Sequence, residues 1–270
     1  MNKIGICEWS LPIDGPYACQ FAAELGLDGV QIDIGLYERG FSKSRPAVQN
    51  AYLEYSREWG IEFPSMAARV TDYYTMFPSR SETESAIVRD GLQKAIRASA
   101  DMGIPILLIP NFERSAILTE KDLKEAVECF KWACDLSGKE GITIAAENTL
   151  TVDATMAFFK GINRPNLKLY FDSQNYYLSK GLDTPALLDE LMDYICQIHV
   201  KDGKNKDLSG ALLGAGDTDF HRSMEVLRKH RYSGWIVLEN YYDQKPLCIG
   251  DLDPAALIAT DIQTLKAALQ

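Results

Sequence analysis

Short apolar runs alternate with segments of helical period from one end of this 270-residue chain to the other. The strand-like runs fall at 3–7, 29–33, 61–67, 105–110, 142–146, 167–171, 194–199 and 235–239. Helical patterns occupy 16–25, 45–59, 81–102, 119–139, 151–160, 184–192, 219–230 and 254–269. Strands that alternate with helices predict an α/β fold with a parallel sheet, and eight such units predict a (β/α)8 barrel. Such a barrel needs about 250 residues, which this chain supplies. One domain over 1–270 is the simplest account, because no linker, low-complexity tract or longer repeat interrupts the alternation. A doubly wound sheet is the competing fold, but no GxGxxG follows the first strand.

Local signals agree with these boundaries. Gly26, Gly60, Gly103 and Gly141 each follow a helical pattern and precede a strand, as C-terminal caps do. Thr119 with Glu120 and Asp122 predicts a helix start, and Asp253 with Pro254 predicts another.

Four of the last strand-like runs end on a metal-binding side chain. The run 142–146 ends at Glu147, 167–171 at Asp172, 194–198 at His199 and 235–238 at Glu239. A parallel barrel collects the C-terminal ends of its strands on one face, so four residues far apart in sequence are expected to converge. Three carboxylates and one imidazole suit a divalent cation of intermediate hardness, such as Mn²⁺, Mg²⁺, Co²⁺ or Zn²⁺; Mn²⁺ is the ion expected. Each residue also has a plainer role open to it. A strand-end acid can pair with Lys or Arg, Asp172 can cap the next turn, and His199 can be a hydrogen-bonded core histidine.

The long loops at 34–44, 68–80, 111–118, 200–218 and 240–252 follow strands and belong to the same face in a barrel. Tyr73, Tyr74, Phe77 and Phe112 lie on them, either as loop packing or as substrate contacts. Glu8 and Trp9 after the first strand, Arg69 after the third and Asn111 after the fourth are further candidate substrate contacts. Lys201 shares a strand face with His199 by alternation. It is expected to meet a substrate hydroxyl or phosphate, or else to pair with Asp202 or a neighbouring carboxylate.

Apolar residues make up 46% of the chain, enough for a large core. The net charge of −10 disfavours nucleic acid, whose backbone needs a basic face. It leaves a small anionic substrate open, since a local pocket can oppose the global charge. Six cysteines without a CxxC predict reduced, mostly buried thiols. The first residues enter a strand pattern directly, without the regions of a signal peptide, and no apolar run approaches the ~20 residues of a membrane helix. These features predict a cytoplasmic protein with no membrane partner.

The stretches 146–148, 171–175, 198–203, 213–220 and 234–239, together with 21–30, resemble the sugar-phosphate isomerase/epimerase superfamily, the xylose isomerase-like TIM barrels. The resemblance runs over nearly the whole chain. It implies one divalent ion held by Glu147, Asp172, His199 and Glu239, with the two glutamates also moving protons. It also implies a sugar or sugar-phosphate substrate, and self-association as a homodimer or homotetramer. Asn175 stands where many sugar epimerases of the group carry a histidine; asparagine can hydrogen-bond a substrate but carries no proton. Gly214 and Gly216 shape the loop after the seventh strand, as a plain turn or a phosphate cradle.

The favoured reaction is ketose 3-epimerisation through an enediolate. Hydroxypyruvate-type aldose–ketose isomerisation and inosose dehydration use the same start. The superfamily's barrel also hosts apurinic endonucleases with three zinc ions, but this chain has three histidines and an acidic balance. A non-catalytic sugar-binding barrel is opposed by the presence of all four expected ligands.

Overall fold

A computed structural model describes residues 2–250 and 252–270. Eight parallel strands close in the order β1 to β8: Ile4–Cys7, Gly29–Asp33, Met66–Ala67, Ile106–Pro110, Thr143–Glu147, Leu167–Asp172, Ile195–Val200 and Ile236–Leu238. The helices are α1 Tyr17–Glu24, α2 Pro46–Trp59, α3 Val70–Tyr73, α4 Glu82–Met102, α5 Glu120–Ser137, α6 Val152–Ile162, α7 Asn175–Lys180, α8 Thr184–Leu191, α9 Phe220–Lys229 and α10 Pro254–Ala268. The expected (β/α)8 barrel is the fold.

The residues fall into two compact units. One holds the chain up to Gln31, Tyr55–Glu62 and everything from Phe171 onward. In it β1 pairs with β2 and β8, and β7 pairs with β8 in the register His199 opposite Val237. At Gly29 an added Cβ would stand 2.7 Å from the Glu62 carbonyl oxygen and 2.8 Å from the Trp235 ring. Only glycine lets this strand pass so close to its neighbours. The other unit holds Ile32–Glu54 and Phe63–Tyr170, with pairings β2–β3, β3–β4, β4–β5 and β5–β6.

The helix ends follow from their sequences. The Thr119 hydroxyl accepts from the Asp122 amide while the Asp122 carboxylate accepts from the Thr119 amide, a reciprocal cap for α5. Asp253 caps α10 and Pro254 occupies its first turn, where no N–H is missed. Three elements differ from expectation. The strand predicted over 61–67 survives only as Met66–Ala67, with Glu62 keeping a bridge to Gly29. Pro64 offers no N–H to a ladder. Conversely, α3 and α7 form inside segments that read as loops.

Candidate active site

Strand alternation decides which side chains face inward. On β7 it puts Gln197, His199 and Lys201 on one side, and all three are buried. On β2 it puts Gln31 on the side opposite Val30 and Ile32. His199 Nε2 lies 2.6 Å from Gln31 Oε1, and the Cys7 thiol donates to the same oxygen at 3.3 Å. The other ring nitrogen, Nδ1, lies 3.2 Å from Glu239 Oε2 and 3.8 Å from Asp172 Oδ2. The Trp9 ring stands edge-on to the imidazole at 6.2 Å between centroids.

Glu239, one residue beyond β8, is held at both oxygens. The Trp9 indole donates to Oε1 at 3.0 Å and the Lys201 ammonium donates to Oε2 at 2.7 Å. Lys201 Nζ also lies 3.0 Å from Asp172 Oδ2. Asp172 divides its work: Oδ1 accepts from the Gln174 and Asn175 amides at 2.8 and 2.6 Å, while Oδ2 faces Lys201 and His199. The capping role open to Asp172 is therefore real, and it engages one oxygen while the other faces the cluster. Asn175 begins α7 and is buried.

Lys201 pairs with the two neighbouring carboxylates rather than with Asp202. The Asp202 side chain instead gathers its own loop. Its Oδ1 accepts from the Gly203 amide and the Thr218 hydroxyl, and its Oδ2 from the Gly214 and Gly216 amides. Gly214 and Gly216 thus give their N–H groups to a carboxylate of the chain, which favours the turn over the phosphate cradle.

In the other unit, Glu147 ends β5 and is buried, and its carbonyl accepts from the Asn111 amide at 2.8 Å. Both side-chain amide atoms of Asn111 are buried without a hydrogen-bond partner among the described residues. Arg69 precedes α3; its backbone N–H donates to Asp33 at 3.2 Å and its Nε lies 3.4 Å from Asp72 Oδ2. Burial pushes the Asp72 carboxyl up to about 7 against the pull of the Arg69 guanidinium, and the charges of Glu147 and Asp33 add to the rise. Glu8 is buried in a single 3-10 turn after β1. Of the loop aromatics, Phe77 is buried and Tyr73 is exposed.

Asp172, His199 and Glu239 each offer one ligand atom, and these three atoms lie within 4.8 Å of one another. The buried Asp172 and Glu239 carboxylates repel at that separation, and Lys201 supplies one positive charge. A bound cation would offset the remaining negative charge, and His199 presents a ring nitrogen toward both acids. The donor set fits a metal ion of intermediate hardness.

Two residues of this region escaped the sequence reading. Gln31 was signalled by a polar residue interrupting the apolar run Val30 to Ile32. Asp72 had only its spacing from Arg69, which any surface ion pair shares.

The comparisons agree with this architecture. A family model described as xylose isomerase-like TIM barrel matches residues 19–268. The chain is 29% identical over 242 residues to a 2-epi-5-epi-valiolone 7-phosphate 2-epimerase of Actinoplanes sp., covering 89% of this chain and 87% of that one. Among solved structures, an IolI protein with a bound zinc atom superposes with a TM-score of 0.79 at 16% identity, covering 99% of this chain and 98% of that one. A D-allulose 3-epimerase from Methylomonas sp. in complex with D-allulose gives a TM-score of 0.74 at 17% identity, covering 99% and 97%. With closed-barrel topology and a family model that matches most of its length, the chain belongs to the xylose isomerase-like TIM barrel family.

Proposed function

We propose that this chain is a divalent-metal-dependent sugar or sugar-phosphate epimerase or isomerase that works by enediolate proton transfer, with ketose 3-epimerisation the favoured reaction. The observation that carries this reading is the cluster of Asp172, His199 and Glu239, three buried groups with ligand atoms within 4.8 Å; Glu147, buried at the end of β5, is the fourth ligand of the proposal. The near full-length similarity to an epimerase of a phosphorylated ketone supports the reaction class. The Asn111 amide supports a hydroxylated substrate, because a buried amide without a partner costs about 1–3 kcal/mol until a ligand satisfies it.

In this reading the four residues hold one divalent ion, Mn²⁺ by preference. The ion, when bound, stabilises negative charge on the substrate oxygen next to the reacting carbon. One glutamate takes the proton from the carbon beside the carbonyl, and the C–H electron pair moves onto the carbonyl oxygen. The other glutamate returns a proton to the opposite face of that carbon, which inverts it. Glu147 and Glu239 take these roles in the order set by the substrate's starting configuration. Lys201 and Trp9 orient Glu239 through its two oxygens. Arg69, Asn111, Asn175, Glu8 and the ring of Trp9 contact the substrate. Self-association as a homodimer or homotetramer and a cytoplasmic location complete the reading; no helix among the described residues is long and apolar enough to cross a membrane.

The test is proton exchange. The Mn²⁺-loaded protein is incubated in D₂O with free and phosphorylated ketoses and cyclitol ketones, and C–H signals are followed by NMR. Deuterium is expected beside the carbonyl of one substrate. Glu147→Gln and Glu239→Gln should each lose at least about 10²-fold in turnover. Near-wild-type turnover in either variant removes the two-base mechanism, and no exchange on any compound with metal bound removes the enediolate reading.

A further inference from the structure

We infer that Gln31 is the positioning residue that fixes the tautomer of His199 and thereby aims its Nδ1 lone pair into the acid cluster. The inference rests on the reading of His199 as a metal ligand. Gln31 lies on β2 directly beside Cys7 of β1 in the strand register, and both side chains are fully buried. His199 Nε2 lies 2.6 Å from Gln31 Oε1. An amide oxygen only accepts, so the ring hydrogen sits on Nε2. The Cys7 thiol donates to the same oxygen at 3.3 Å and lies 3.4 Å from Nε2, so it packs against both partners of this contact. A neutral imidazole with hydrogen on Nε2 carries its lone pair on Nδ1. That nitrogen faces Glu239 Oε2 at 3.2 Å and Asp172 Oδ2 at 3.8 Å. A lone pair directed at two carboxylate oxygens is unfavourable alone and favourable once a cation joins all three.

The choice of an amide has a further consequence. Ligating histidines lean on a carboxylate, a carbonyl or water at their second nitrogen. In that reading the three ligand acids, the Lys201 ammonium and a divalent ion would balance in charge. A carboxylate at position 31 would leave the buried cluster one charge negative, whereas a glutamine accepts the hydrogen bond and adds none.

The experiment compares wild-type protein with Gln31→Met, Gln31→Glu and His199→Ala. Zn²⁺ and Mn²⁺ affinities are measured by competition with a chromogenic chelator, and the ring tautomer is read from ¹H–¹⁵N couplings of ¹⁵N-histidine protein loaded with Zn²⁺. Wild type should show hydrogen on Nε2. Gln31→Met should raise the metal Kd by about 10- to 100-fold, and Gln31→Glu, which restores an acceptor, should recover most of that loss. Loss of packing alone would lower both melting temperatures without separating the two Kd values, and that result overturns the inference. Gln31→Met with wild-type affinity, or wild-type protein with hydrogen on Nδ1, overturns it as well. Wild-type protein that takes up no ion, or His199→Ala that binds as tightly as wild type, overturns the metal reading beneath it.

Discussion

Lys201 is the residue whose role turned on geometry rather than type. Its place two residues past His199 put it on the inward side of β7, but the strand pattern left its partner open. Its ammonium lies between Glu239 Oε2 at 2.7 Å and Asp172 Oδ2 at 3.0 Å, at the oxygens that also face His199. Removing one member of a buried ion pair leaves charge without compensation and typically costs about 3–5 kcal/mol. Lys201→Met should therefore lower stability by about 3 kcal/mol in the presence of chelator. Mn²⁺ should restore a large part of it, because the ion supplies positive charge to the same acids. Urea unfolding with EDTA and with Mn²⁺ checks this; an equal loss in both would mean that the lysine and the ion do not share those oxygens. The strand-end acids and His199 were readable because alternation and strand ends are sequence properties. The partner of Lys201 was not, because it depends on which oxygen of each acid is already taken by a backbone amide.

At the scale of elements, the loop after β7 shows what patterning leaves out. Strands and long helices announce themselves by period, and their observed bounds fall within a few residues of expectation. The short α3 and α7 have too few residues to display a period, and β3 shrank around Pro64. The loop over residues 202–218 has no period either; it is organised by one buried acid. The Asp202 carboxylate takes four hydrogen bonds, from Gly203, Gly214, Gly216 and Thr218, and its backbone N–H donates to Asn240. At Gly216 an added Cβ would stand 2.0 Å from Asp202 Oδ1 and 2.5 Å from the Gly203 carbonyl oxygen. Gly216→Ala must push the loop off its anchor. A loss of about 1–3 kcal/mol is expected, together with a raised KM as the residues after Lys201 move. Differential scanning calorimetry and substrate titration read the two effects. An unchanged melting temperature would show that Asp202 does not need this amide.

At the scale of the whole molecule, a closed parallel barrel lets a sequence nominate a site, since candidate ligands separated by 25, 27 and 40 residues need only share a strand end. How the last helix is tied to the sheet was not predictable. Asp261 of α10 accepts from the Leu213 amide, the Asn240 side chain and the Tyr242 hydroxyl, all buried. Burial pushes its carboxyl up to about 6; the three donors oppose the rise and the charge of Asp202 adds to it. An unfolded aspartate titrates near pH ~4. Between about pH 4 and 6 the folded protein keeps a proton that the unfolded chain has released, so this site favours folding as pH falls and loses that contribution as pH rises through about 6. Asp261→Asn turns an amide N–H toward one of the three donors and is destabilised at every pH, but it no longer titrates. The wild-type advantage over the variant should therefore grow by about 2 kcal/mol between pH 7.5 and about pH 4.5. Urea unfolding of both proteins across that range measures it directly. A constant difference would mean that Asp261 stays ionised in its buried setting, with its three hydrogen bonds outweighing burial.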